Sequence, residues 1–201
     1  MRKIDKQQPL KEFEQFRDQN PGANWGAFPS EIRINSRGQL LVEEQDCQCG
    51  YTEILLNDDG DCHIDHYFKK GLDSSMTFGW ENLIAASMDE DFGAKYKDNK
   101  YSIKANEYQE IYNPVIHRPE QYFYYLQNGE IEPKNELEPP EKVKVKKTVE
   151  VFNLNASQLA KRRRDLIKQI RDTKQGGLDS VLIHQAFSNT GFKSVKNQEI
   201  D

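Results

Sequence analysis

The stretch Asp61-Cys-His-Ile-Asp-His-Tyr67 constrains this chain more than any other, because His63, Asp65 and His66 crowd two imidazoles and a carboxylate into four residues. Just upstream, Asn57-Asp-Asp-Gly60 has the composition of a tight turn, which predicts a hairpin of two strands, 51–56 and 62–67. Side chains alternate between the faces of a strand, so His63 and Asp65 fall on one face and His66 on the other. One face then suits a divalent ion. The other presents an imidazole whose reference pKa lies near neutrality and which can take a proton from water. A carboxylate favours Mg2+ or Mn2+ and an imidazole favours softer ions, so the ligand set alone does not fix the metal. The same residues also suit the polar side of an exposed strand, and spacing alone leaves both readings open.

The rest of the chain reads as a series of short elements. Leu10, Phe13 and Phe16 stand at helical spacing within residues 4–20, which Asn20-Pro-Gly22 closes. A second element begins over Pro29 to Leu41, with Leu40, Leu41 and Val42 packing inward. Trp80 to Met88 reads as a helix burying Trp80, Leu83 and Ile84. Tyr122 to Leu126 and Glu130-Ile131 flank Asn128-Gly129, a second hairpin whose aromatics suit sheet packing or stacking on unpaired bases. Residues 134–147 combine Pro139-Pro140 with charge runs and read as a linker or edge strand. Asn155-Ala-Ser-Gln then opens a helix over Ala156 to Thr173, striped by Leu159, Leu166, Ile167 and Ile170 and ended at Gly176-Gly177. The polar tail Ser194 to Asp201 reads as disordered.

Composition limits what these elements can build. With 201 residues of which 36% are hydrophobic and 30% charged, one modest core is expected, with long polar stretches outside it. No apolar run approaches a membrane span, and the start Met1-Arg-Lys-Ile-Asp-Lys lacks a secretory segment, so a cytoplasmic protein without a membrane partner is expected. Three cysteines suit a reducing compartment better than a disulfide framework. The net charge of -5 argues against indiscriminate nucleic-acid binding. Local clusters qualify that average. Lys69-Lys70, Lys95-Tyr-Lys97 and Lys100 suit a phosphate track beside the motif, while Lys161 to Arg164 suits a solvated helix face or an acidic partner equally.

His63-Ile-Asp65-His66-Tyr-Phe-Lys69-Lys70, followed by Thr77-Phe-Gly-Trp-Glu-Asn82-Leu83, resembles the HNH endonucleases of the ββα-metal type. More narrowly, the chain is similar to the PtuB-type HNH effectors of Septu anti-phage systems, which also accompany some retrons. Five flanking runs carry that narrower likeness in the same order: Met1 to Lys6, Leu40-Leu-Val-Glu-Glu-Gln45, Tyr112-Asn-Pro114, Arg118 to Tyr125, and Leu154 to Leu159. The implied fold class is α+β, a ββα-metal nuclease core over 41–132 that includes the aromatic hairpin. Around it stand an N-terminal helical segment (1–40), a linker or edge strand (133–153) and a C-terminal helical region (154–201).

By position, the resemblance makes His66 the general base for the attacking water and Asp65 a ligand of Mg2+ or Mn2+. It makes Asn82 a brace that keeps the histidine aimed, and His63 a ligand or substrate contact. The chain departs from the family in its cysteines. The first family pair reads Cys49-Gly-Tyr-Thr52, and the second falls in Met88 to Asp98, which has none, so a structural zinc is not expected and Cys47, Cys49 and Cys62 read as ordinary thiols. Ala94 stands where an asparagine is usual if Lys97 aligns with the family lysine. That leaves Asp89, Asp91 and Asp98 as candidates for the last ligand, with Asp98 preferred.

Two function classes follow. In one, the chain is a metal-dependent nuclease, with Lys69, Lys70 and Lys97 toward the nucleic acid. The family then implies a PtuA-like ATPase of the ABC and SMC type as its partner and, in retron-linked systems, a reverse transcriptase with its noncoding-RNA-derived DNA. In the other, a degenerate HNH module serves nucleic-acid binding or assembly. The retention of His63, Asp65, His66 and Asn82 together favours the first.

Overall fold

The computed structural model describes residues 1–56 and 60–201. It is an α+β fold with two small antiparallel sheets. Helices α1 (Lys11–Gln19) and α2 (Ser30–Gly38) come first, and α2 continues into wider turns over Gln39–Glu44. Strands β1 (Cys62–His66) and β2 (Leu83–Ser87) pair antiparallel, and the short helix α3 (Gly93–Lys95) follows and continues as wider turns over Tyr96–Tyr101. A second hairpin joins β3 (Phe123–Tyr125) to β4 (Ile131–Pro133). Helices α4 (Pro139–Val151), α5 (Ser157–Gln175), α6 (Ser180–Ala186) and α7 (Lys193–Ile200) complete the chain. Among the described residues, no helix is long and apolar enough to cross a membrane.

The partner of β1 differs from the sequence expectation. Residues 51–56 form no strand with it; Gln48 and Leu55 make a lone bridge, and the expected turn at 57–60 lies mostly outside the described residues. Instead β1 pairs with Leu83–Ser87, inside the stretch read as a helix, with Asp65 opposite Ile84 and His66 opposite Leu83. Every residue of β2 is buried. A strand covered on both faces loses its alternation and reads as a continuous apolar run, which periodicity cannot tell from a buried helix.

Three further corrections lie in the C-terminal half. Residues 139–151 are helical because the two prolines sit in the first turn, where their missing N–H groups cost no hydrogen bond. Glu138 caps that turn, its backbone N–H donating to the Glu141 carboxylate at 3.1 Å. The tail is ordered too: α7 buries Val195 and Ile200, and Ser194 donates to Glu53 from both N–H and hydroxyl. Helix α5 carries the expected buried stripe of Leu159, Leu166, Ile167 and Ile170. Asn155 does not cap it, however. Its side chain pairs with both backbone groups of Ile131 and so fastens β4.

A single apolar core links these parts. Phe13 of α1 and Phe28 meet Phe78 and Trp80 edge to face. Residues ahead of α1 are not helical and reach into this core, with Met1 and Ile4 buried. Val42, expected inside, is 58% exposed. The Asn128-Gly129 turn of the second hairpin is tight for a visible reason. Gly129 has φ +84°, and a Cβ there would lie 1.9 Å from the carbonyl oxygen of Ala160 in α5. Its own carbonyl accepts from Arg163, a member of the expected Lys161–Arg164 cluster that is in fact buried. Of the aromatics in that hairpin, Phe123 and Tyr125 pack inward and Tyr124 faces solvent.

Candidate active site

The site is assembled by the β1–β2 hairpin and the coil that follows it. β1 delivers His66 at its last position, and β2 begins just after Asn82, so the register brings the two together; the Tyr67 N–H donates to the Asn82 carbonyl at 2.8 Å. The Asn82 side chain is buried and satisfied in every direction. Its Oδ1 accepts from the Phe68 N–H at 2.7 Å, and its Nδ2 donates to the carbonyls of Phe68 at 3.0 Å and Met76 at 3.1 Å. One amide therefore ties both ends of the loop over 68–76, at about 1 kcal/mol for each bond.

That tie fixes the next residue, and through it His66. The Thr77 carbonyl lies 3.0 Å from His66 Nε2. A carbonyl can only accept, so Nε2 carries the proton and Nδ1 of the neutral ring keeps its lone pair. Burial holds the His66 pKa below its ordinary value, against the Thr77 hydrogen bond and Asp65, which pull it up. Burial thus favours the neutral form of the ring. Trp25, from the N-terminal segment, holds it edge-on with centroids 4.7 Å apart. These are the attributes of a general base: a free lone pair, a fixed tautomer and a pKa under neutrality.

The other face of β1 is arranged differently. Asp65 Oδ2 accepts from the Tyr51 hydroxyl at 2.5 Å and lies 3.4 Å from Lys97 Nζ. Lys97 is fully buried and also donates to the carbonyls of His66 at 3.0 Å and Tyr67 at 3.1 Å. Asp98 Oδ1 lies 2.8 Å from the same ammonium. Burial disfavours that ammonium, but Asp65 and Asp98 outweigh it and leave the Lys97 pKa raised. Asp98, pushed up by burial and then by Asp65, is harder to ionise than an ordinary aspartate. His63 is half-buried, its pKa lowered chiefly by burial, and its Nδ1 is a buried atom without a hydrogen-bond partner.

Lys97 therefore does not belong to a phosphate track, because its whole side chain lies inside the protein. Lys69 is half-buried, with Nζ on the Asp98 carbonyl at 3.0 Å, and Lys70 is exposed, 5.8 Å from the Trp25 ring. Lys95 and Lys100 face Glu90 and Asp91 at 3.7 and 2.6 Å. Asp91 is also bound by Gln158, and Asp89 accepts from the Asp91 N–H, so among the three carboxylates considered for the last ligand it is Asp98 that meets Asp65 across Lys97. Cys47, Cys49 and Cys62 are free thiols, and the Cys49 sulfur accepts from the Ser87 N–H.

As they stand, Asp65 and Asp98 hold an ammonium and not a divalent ion. Among the described residues no three His, Cys, Asp or Glu side chains converge as a metal cage, and the ammonium of Lys97 stands between the two carboxylates. Sequence reasoning missed three contributors here. The Thr77 carbonyl has no signature, since any residue supplies one. Tyr51 and Trp25 come from segments remote in sequence. The chain matches no protein-family model and no curated protein.

Proposed function

We propose that this chain is an HNH-type endonuclease that hydrolyses nucleic-acid phosphodiester bonds. The observation that carries the reading is the relay from Asn82 through the 76–77 backbone to His66, which leaves a neutral, oriented imidazole with Nδ1 free. The order strand, strand, short helix, with His66 ending the first strand and Asn82 preceding the second, supports a ββα core of that type. In the step these residues would perform, Nδ1 takes a proton from water as the water oxygen bonds to phosphorus. The P–O3′ bond breaks in line, and the leaving oxygen gains a proton from solvent. Mg2+ or Mn2+ is part of the proposal only through the resemblance. Asp65 and Asp98 would have to exchange Lys97 for the ion, so no step is routed through it.

The same resemblance supports a role as effector of a Septu-like or retron-associated anti-phage complex, with a PtuA-like ABC or SMC ATPase as partner. A second reading, a degenerate module for nucleic-acid binding or assembly, is favoured by one observation: Lys97 holds the place between the carboxylates. Cleavage of DNA and of total RNA in Mg2+ or Mn2+, with the cognate ATPase bound, separates the two. Products from wild type that vanish with His66→Ala support the nuclease. Equal absence from both, with the complex intact, supports the module.

A further inference from the structure

A cleft of about 710 Å3 opens beside the loop that Asn82 braces, and it has the chemistry of a nucleotide site. Its wall is aromatic: the Phe68 and Tyr108 rings stand 4.4 Å apart, and Tyr67 meets Tyr108 edge-on at 5.5 Å. Its mouth carries Ile116, 71% exposed, and the partly exposed Met76, apolar surface that water covers poorly. The polar lining is mixed, with the Glu81 carboxylate and Gln109 beside three groups that offer donors. His117 Nδ1 accepts from the Asn113 N–H at 2.9 Å, so the neutral ring carries its proton on Nε2. Asn113 spends its Oδ1 on the Val115 N–H, which leaves its amide NH2 to donate. Lys144 stands 5.1 Å over the Tyr112 ring and adds a positive charge. Aromatic faces flanked by donors and a cation match a base and the phosphate attached to it.

We propose that this cleft binds an unpaired base of the strand presented to His66, with Lys144 and His117 taking an adjacent phosphate. The cleft and the site share structure: Asn82 and Phe68 line the cleft, and the Asn82 amide fixes the loop that ends at the Thr77 carbonyl. A base seated against Phe68 is therefore positioned by the same loop that aims the imidazole. The inference rests on the nuclease reading for its substrate, but its test does not require cleavage.

The probe is a short single-stranded oligonucleotide carrying the fluorescent base 2-aminopurine, titrated into the full chain bearing His66→Ala. Stacking in the cleft should quench the fluorophore. Adding Ile116→Glu or Lys144→Glu should weaken binding at least about fivefold, and melting should stay unchanged for Ile116→Glu, since Ile116 lies largely in solvent. Binding that ignores both substitutions, or no binding at all, overturns the proposal. So does unaltered oligonucleotide binding accompanied by lost association with the ATPase, which would make the cleft a protein contact. The two readings also fail separately. Cleavage by wild type with binding indifferent to the cleft keeps the nuclease and removes the subsite. Cleft-dependent binding without cleavage does the reverse.

Discussion

Two buried polar clusters in this molecule differ in what they leave unspent. Around Glu53 the accounts close: its carboxylate takes the Met1 amine at 2.6 Å, the Ser194 N–H and hydroxyl at 2.7 Å each, and the Tyr125 hydroxyl at 3.4 Å. Around β1 they do not. His66 is held through Nε2 with Nδ1 open, and His63 Nδ1 is buried without a partner. A saturated cluster ties chain segments together, here the N-terminal residues to α7. A lone pair left open can still take up a proton or a ligand, which the saturated Glu53 cluster cannot do.

Substitutions should split along this line. The largest effect is expected from His66→Ala, which should lower cleavage by about 100- to 10,000-fold, the usual worth of a general base, in an assay per folded molecule. The same change should lower unfolding free energy by no more than about 2 kcal/mol in denaturant titration. Glu53→Gln should do the opposite, costing about 3–5 kcal/mol of stability by leaving a buried amine unpaired, with cleavage per folded molecule unchanged. A Glu53→Gln protein that melts normally would erase the contrast between the clusters.

Lys97→Met tests the middle ground. Lys97 joins Asp65, Asp98 and the backbone of His66 and Tyr67, so its loss should destabilise by about 3 kcal/mol and disturb cleavage as well. Asn82→Ala removes three hydrogen bonds and should cost about 2–3 kcal/mol, while the freed loop lets the His66 ring lose its tautomer. Normal cleavage by the folded Asn82→Ala protein would cut the relay from the account.

The smallest effects concern pH. Burial opposes the Glu53 carboxylate, but the Met1 amine and Ser194 outweigh it and hold its pKa at about 2 in the folded protein. That is below the unfolded value of ~4.3, so its contribution is complete above ~4.3 and is lost as pH falls through about 2. His66 and His63, both lowered by burial, add stability that is complete above ~6.5 and declines as pH falls below it. Stability against pH by denaturant titration should thus fall in two steps on acidification. A single step confined to either range would remove one cluster from the ledger.

The sequence was legible where one residue speaks for its own neighbourhood. The α5 stripe and the Asn-Gly hairpin were readable from spacing. It misled where context reverses a local rule. Pro139-Pro140 punctuates a chain in general, yet here it starts α4. The apolar run at 83–87 has no period that separates a buried strand from a buried helix. Lys97 reads as a surface cation, and only the fold reveals that Asp65 and Asp98 close on it from both sides. The Thr77 carbonyl was beyond reach altogether, because backbone oxygens carry no side-chain identity.

The most direct test of the account is 15N NMR of the His66 ring across a pH titration, assigned by comparison with His66→Ala. The expected result is a neutral ring protonated on Nε2, with Nδ1 showing the shift of an unprotonated nitrogen and a pKa below the ordinary ~6.5. A ring protonated on Nδ1, or one titrating above 6.5, would contradict it, because no lone pair would then be held ready for water.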